Sequence, residues 1–396
     1  MTPSGSAWSA WVDDACHQVA AAGRWRAPRT FDARGHAGSL GQGSAPGQPS
    51  VPAVVSFASN DYLGLSTHPA VVDGARRALD RWGAGSGASR LVTGSRPVHH
   101  ELEEALAEWK GTEAAVVLPT GFAANLSVLS VFAGPEVVVH SDELNHASII
   151  DGCRLARAAV RIYPHRDLAA LDAALSGAEG RPVVVSDTVF SMDGDVADLD
   201  ALVEVAGRHG ALLVLDEAHA VLGPDLGGAE GVDVLQVGTL SKTLGSLGGF
   251  VAGPRSFVDL LVNRARPYIF TTAPTPADAG AALAALAVLR SDEGGALRDR
   301  LQALVDRVAS GIGIEGHASP ILPLVIGAED EAVHASADLL AQGLWVPAIR
   351  PPTVAPGTSR LRITLSATHT DAQVDRLLSG LDALGLRAGR GVDSAA

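Results

Sequence analysis

Residues 211–249 read "ALLVLDEAHAVLGPDLGGAEGVDVLQVGTLSKTLGSLGG". Two apolar runs stand in this stretch, "ALLVLDE" (211–217) and "VDVLQVG" (232–238). Both are short and rich in Val and Leu, so they are predicted to be buried strands rather than helices. The first closes on Asp216, and His219 follows three residues later. After the second comes Lys242, the only charged residue between Asp233 and Arg255.

Upstream, the same kind of run recurs at "AAVVL" (114–118), "EVVVH" (136–140) and "RPVVVSD" (181–187). Helix-like segments lie between the runs. One is 101–111, with Leu102, Ala105, Leu106 and Trp109 on one face and Gly111 as its stop. Continuous apolar strands alternating with helices predict an α/β fold with a mostly parallel sheet covered on both faces. Residues 8–29 read as a helical arm, and 35–52, rich in Gly, Ser, Pro and Gln, as a linker or surface loop. Beyond about Thr275 a second region is expected, with strands near 321–327 and 361–367 and a last helix opened by a Thr370/Gln373 capping box. The expected organisation is an N-terminal arm and linker (1–53), a large domain (54–275) and a smaller α+β C-terminal domain (276–396). A chain of 396 residues has room for that division.

A formal net charge of −14 argues against non-specific nucleic-acid binding, which depends on surplus cations. Cys16 and Cys153 are too few for a disulfide framework, so a reducing cytoplasm is expected. No apolar stretch approaches membrane-spanning length, and the N-terminus shows no secretory pattern. No metal site is expected.

The chain has two lysines, Lys110 and Lys242, against free use of arginine. Arginine stays protonated, whereas a desolvated lysine can lose its proton and attack a carbonyl. Other polar residues gather at predicted strand ends, where open parallel sheets bind ligands. "VLPTGFAAN" ends a strand at Leu118 and opens a helix near Phe122. Such a start offers free N–H groups to a phosphate, and Gly121 lets the backbone come close. His146 precedes a helical stretch, Ser191 sits in a polar turn, and Arg362 could fork a carboxylate. "DEAH" (216–219) also resembles the box of helicase-type NTPases, but no Walker A loop accompanies it. A phosphate cradle, a strand-end acid, one placed lysine, two histidines and an arginine are together the parts of a pyridoxal 5′-phosphate (PLP) site.

The motifs "SFASNDYLGLSTHP", "GAGSGASRLVTGSRPVHHELEEALAEW", "TGFAAN", "NHASIIDG", "DTVFSMDGD", "LDEAH", "TLSKTLGSLGG", "FTTAP" and "IRPPTVAPGTSRLRITLSATH" occur in this order. In that order and spacing the chain resembles the α-oxoamine synthases of PLP fold type I, the aspartate-aminotransferase-like class, from about Ala53 to Leu384. The resemblance implies that Lys242 is the Schiff-base lysine, that Asp216 pairs with the ring nitrogen and that His146 stacks on the ring. It implies Gly121, Phe122 and Thr239 near the phosphate, and Ser191 and His219 near the phenolic oxygen. Asn60, Thr353 and Arg362 are implied substrate contacts, with an N-terminal arginine best matched by Arg24, Arg26 competing.

"FTTAP" (270–274) implies a homodimer with shared sites. The likeness is strongest to members that join L-alanine to a pimeloyl thioester, on CoA or acyl carrier protein, in biotin biosynthesis. A glycine-using member is the alternative. Two departures touch the pocket rim: Ala220 follows "DEAH", where Gly or Ser is usual, and "PPTVAPG" carries its proline at 356.

Overall fold

The computed structural model describes residues 6–41, 51–177 and 179–387. Seven strands form the central sheet. Their spatial order is Ala114–Leu118, Gly249–Gly253, Val234–Thr239, Leu212–Asp216, Arg181–Asp187, Val137–Asp142 and Ala159–Tyr163. Only Gly249–Gly253 runs antiparallel to its neighbours. The sheet is therefore mostly parallel, as expected.

The apolar runs are continuous because each strand is covered on both sides. Val183, Val185, Val214, Leu235 and Val237 pack with the helices Gly121–Phe132 and Arg255–Arg264. Alternate residues Val184, Leu213 and Leu215 pack on the opposite face with Leu199–Arg208. Each fully buried Val or Leu contributes about 1.5–3 kcal/mol of transfer free energy.

Two strands of this sheet fall outside the sequence reading. Ala159–Tyr163 is an edge strand, exposed at four of five positions, so it lacks an apolar run. Gly249–Gly253 is bracketed by glycines because its backbone runs against its neighbours: a Cβ on Gly249 would lie 2.4 Å from Thr120 O.

Part of the 35–52 stretch lies at 42–50, outside the described residues. The rest corrects the loop expectation, since Ala37–Gly41 and Val51–Ser56 are strands paired antiparallel. Leu40 is the fully buried residue of Ala37–Gly41, too little for an apolar pattern to show. The parallel partner of Val51–Ser56 is Leu344–Trp345, so the N-terminal segment joins the C-terminal region. There Ile321–Gly327, Ser359–Thr364 and Ala348–Ile349 make a three-stranded antiparallel sheet. Thr370 and Gln373 form the expected capping box at Asp371–Ala383.

Hydrogen bonds from residues 364–367 hold segment 57–62 beside Arg362, among them Ala367 N to Tyr62 O at 2.7 Å. Thr364 N donates to Phe57 O at 2.8 Å, and Ser366 Oγ donates to Asp61 O at 2.9 Å. Among the described residues no helix is long and apolar enough to cross a membrane.

Candidate active site

The strands Val137–Asp142, Arg181–Asp187, Leu212–Asp216 and Val234–Thr239 all close on a polar residue at the same edge of the sheet. Asp187 and Asp216 are register neighbours there. Asp216 is oriented from both sides: Ala218 N donates to Oδ1 at 2.9 Å and Asn125 Nδ2 to Oδ2 at 2.6 Å. Asp187 is buried, and its Oδ1 has no partner among the described residues. Burial first, and then repulsion from Asp216, hold its carboxyl well above the usual range. Two adjacent buried carboxylates cannot both ionise freely; of the pair, Asp216 is the one with two donors.

Asn125 Nδ2 also donates to Ser148 Oγ at 2.9 Å, and Ser148 Oγ lies 2.7 Å from His146 Nδ1. Ser148 N donates to the same ring nitrogen. His146 caps the helix Ala147–Ala156, which fixes its ring at the sheet edge. Burial holds its imidazole below the ordinary range, and Lys242 adds to that, while Asp216 opposes it.

Lys242 follows Val234–Thr239 in a tight loop. A Cβ on Gly245, at φ +58°, would lie 2.2 Å from Ser66 N, which accounts for the small residues around the lysine. Lys242 Nζ lies 2.7 Å from His219 Nε2. Burial pushes its pKa down to about 8, with Asp216 and Asp187 opposing and Arg362 reinforcing the fall. A free amine near neutral pH is what a carbonyl-attacking lysine needs. Lys110 is engaged elsewhere, ion-paired with buried Glu217.

The helix Gly121–Phe132 starts at the same edge, capped by Thr120 Oγ1 accepting from Ala123 N at 3.0 Å. A Cβ on Gly121 would crowd Thr239 Cβ at 3.2 Å, so glycine keeps this helix start open. Thr239 and Ser241 place hydroxyls 2.8 Å apart beside it. Helix N–H groups and hydroxyls form an anion cradle.

These groups line one cavity of about 210 Å³, walled by Gly121, Phe122, His146, Asp216, His219, Thr239 and Lys242 among others. PLP fits the residues present. They offer an amine, a strand-end carboxylate, an anion cradle and buried polar atoms, Asp187 Oδ1 and Asn125 Oδ1, that have no partner among the described residues.

Arg362 is 5% exposed, so it is no surface arginine. Its Nε donates to Ser191 O at 2.6 Å, its Nη1 to Thr364 Oγ1 at 2.8 Å and its Nη2 to Asn60 Oδ1 at 3.2 Å. Asn60, Ser191 and Arg362 are thus brought together, with Ser191 contributing its carbonyl. Two expected residues stand apart. Arg24 ion-pairs with Glu329 at 3.0 Å, and Thr353 lies in a turn with its N–H on Arg350 O. Neither lines the cavity, and the Asn60–Ser191–Arg362 cluster also lies outside its lining. Asn125, Ser148 and Asp187 belong to the site and do not stand out in the sequence. Asn125 sits within "TGFAAN" and Ser148 two residues after His146, so helical phase and neighbourhood are the available signals.

A mostly parallel α/β sheet with a buried lysine and aspartate at its carboxyl edge defines a PLP-dependent enzyme of fold type I. Residues 52–381 match the family described as aminotransferase class I and II. An 8-amino-7-oxononanoate synthase of Paraburkholderia xenovorans is 47% identical over 355 residues, covering 85% of this chain and 90% of the relative. The serine palmitoyltransferase of Sphingomonas wittichii superposes with a TM-score of 0.86 at 30% identity, over 96% of this chain and 97% of that one. A serine palmitoyltransferase solved with PLP gives 0.85 at 29% identity, over 95% and 96%. The chain belongs to the aminotransferase class I and II family and, within it, to the 8-amino-7-oxononanoate synthases.

Proposed function

We propose that this chain condenses L-alanine with a pimeloyl thioester, releasing CO2 and the free thiol and giving 8-amino-7-oxononanoate for biotin biosynthesis. The observation that carries the reading is the convergence of Lys242, Asp216 and His146 on one cavity in a chain 47% identical to such a synthase.

PLP, when bound, supplies an electron sink for the charge left at the amino acid Cα. Lys242 holds the cofactor and, as a free amine, takes the alanine Cα proton. Asp216, oriented by Asn125 Nδ2 and Ala218 N–H, would pair with the ring nitrogen. Gly121, Phe122 and Thr239 would hold the phosphate, and His146 would lie against the ring. His219 lies beside Lys242, where it can meet the phenolic oxygen. Arg362 and Asn60 receive the alanine carboxylate, with Arg362 forked by Ser191 O and Thr364. Alanine Cα then bonds to the thioester carbonyl carbon and the thiolate leaves. The carboxylate departs as CO2, and a proton returns to Cα.

A homodimer fits the surface. Ser89 and Thr272 form a β-bridge, and Leu91, Val92 and Phe270, within three residues of it along the chain, are exposed. A second copy would cover them. Both cysteines are free, which suits a reducing cytoplasm.

The test is product identification by mass spectrometry. Purified protein is supplied with PLP, L-alanine and pimeloyl-CoA or the carrier-protein thioester. The wild type should form 8-amino-7-oxononanoate, and Lys242→Ala should form none. Equal turnover by Lys242→Ala would overturn the assignment of the lysine.

A further inference from the structure

Ser191 O accepts from Arg362 Nε at 2.6 Å, the shortest of the three contacts on that guanidinium. Ser191 lies in a hairpin whose arms form an antiparallel bridge at Val189 and Val196. Phe190 N donates to Asp195 O at 3.0 Å and Gly194 N to Phe190 O at 2.7 Å, so the turn is closed on itself. Its tip rests on the C-terminal three-stranded sheet. Asp193 ion-pairs with Arg360, and a Cβ on Gly194 would lie 2.0 Å from Ile321 O. The position of this hairpin therefore bears on where Arg362 points.

The opposite side of the hairpin is held by His165. Its Nε2 lies 2.6 Å from Asp195 Oδ2 and its Nδ1 2.9 Å from Asp142 Oδ1. The ring also stands edge-on against Phe190, with centroids 4.3 Å apart and planes at 90°. Asp142 closes the strand Val137–Asp142 and is fixed there, accepting from Leu144 N and Arg166 N, both at 2.9 Å. Arg166 takes φ +58° at this junction, a conformation that costs a residue other than glycine. Asp195 has weaker holds besides His165. Its Oδ1 has no partner among the described residues, and its Oδ2 meets the half-exposed Arg166 Nη1 only at 3.4 Å.

Each ring contact needs one proton between its two heavy atoms. The triad thus holds two protons whichever group carries them, and both carboxylates are spanned only by a side chain with two opposed polar atoms. Burial works against a charge on the ring, but the two carboxylates outweigh it and raise the His165 pKa to about 9. Both contacts are therefore in place at neutral pH.

We infer that His165 is a positioning residue: it fastens the 189–196 hairpin to the central sheet and thereby aims Arg362 at the amino-acid carboxylate. The inference rests on the reading of Arg362 as the receiver of the alanine carboxylate. His165 itself does not line the PLP cavity, whereas Asp187 and Val189 at the foot of the hairpin do.

His165→Gln keeps a polar side chain but cannot reach both carboxylates. Steady-state kinetics of the PLP-saturated protein should show the KM for L-alanine raised by roughly tenfold, as for one lost charge-assisted contact. Turnover number and the KM for the thioester should change far less. Arg362→Lys and the double variant complete a cycle. Because His165 acts through Arg362, His165→Gln should add little to the alanine KM in the Arg362→Lys background, whereas a general loss of fold would add the same in both. Full additivity, or an unchanged alanine KM in His165→Gln, would overturn the inference. An unchanged alanine KM in Arg362→Lys would instead remove the underlying reading of the arginine, and this inference with it. Asp195→Asn keeps the shape of the carboxylate and weakens the same contact from its other end. It should raise the alanine KM in the same way, and a value equal to wild type overturns the inference even if His165→Gln does not fold.

Discussion

Asn125 holds Asp216 by its side-chain amide, with Nδ2 2.6 Å from Oδ2, and the same nitrogen reaches Ser148 Oγ at 2.9 Å. One amide on the helix Gly121–Phe132 therefore aims the acid of the site and, through Ser148, the His146 ring. Removing it should leave Asp216 with the Ala218 N–H alone. A hydrogen bond to a charged group is worth about 1.5–3 kcal/mol. Asn125→Leu should accordingly lower kcat by roughly tenfold to a hundredfold. Exchange of the alanine Cα proton with solvent deuterium should slow in parallel. Steady-state rates and proton NMR check both. Unchanged exchange would remove the role given to the Asn125–Asp216 contact.

The large sheet is legible in the sequence because strands buried on both faces leave continuous apolar runs. Ala159–Tyr163 is not, because this edge strand buries only Tyr163 and its apolar run is broken by Arg161. Among site residues, Lys242 and Asp216 stand out by scarcity and by position at a strand end. Asn125 and Asp187 do not. Their significance lies in which side chain they meet across the sheet edge, and Asp187 meets Asp216 only through strand register. Arg362 illustrates the converse. Its alternation with Leu361 and Ile363 is visible in the sequence, but Ser359–Thr364 is buried throughout, so the arginine meets Ser191 O, Thr364 Oγ1 and Asn60 Oδ1 rather than solvent. The arm carrying Arg24 has no such constraint; its helix Ala7–Ala21 buries no residue of its own.

Burial lowers the Lys242 pKa from 10.5 to about 8, which has a defined effect on stability. Below pH 8 the folded cofactor-free chain carries a desolvated charge that the unfolded chain solvates freely. Between pH 8 and about 10.5 the unfolded chain binds the extra proton, so stability rises with pH across that window. Lys242→Met should therefore be more stable than wild type below pH 8, with the gap closing as pH approaches 10.5. Denaturant midpoints of the cofactor-free proteins across roughly pH 7–10 measure this. A gap that widens with pH would contradict the burial-driven shift.

Arg362 uses all three guanidinium nitrogens in distinct directions, on Ser191 O, Thr364 Oγ1 and Asn60 Oδ1. Lysine cannot reproduce that fork. Arg362→Lys should raise the KM for L-alanine by about tenfold or more, the equivalent of losing one charge-assisted contact. The KM for the thioester should change far less. Equal rises in both would mean that Arg362 supports the fold of the pocket and not the alanine carboxylate.

The substrate pair is the most direct test of the central claim, that this site joins L-alanine to a pimeloyl thioester. One methyl group separates alanine from glycine and is worth only about 1–3 kcal/mol, so some glycine turnover is expected. The pimeloyl chain adds far more apolar area to discriminate against acetyl. The measurement is kcat/KM for each amino acid with each thioester, using wild-type protein saturated with PLP. L-Alanine with the pimeloyl thioester should exceed every other pair. A higher kcat/KM for glycine with acetyl-CoA would contradict the proposed reaction while leaving the Lys242 and Asp216 assignments intact.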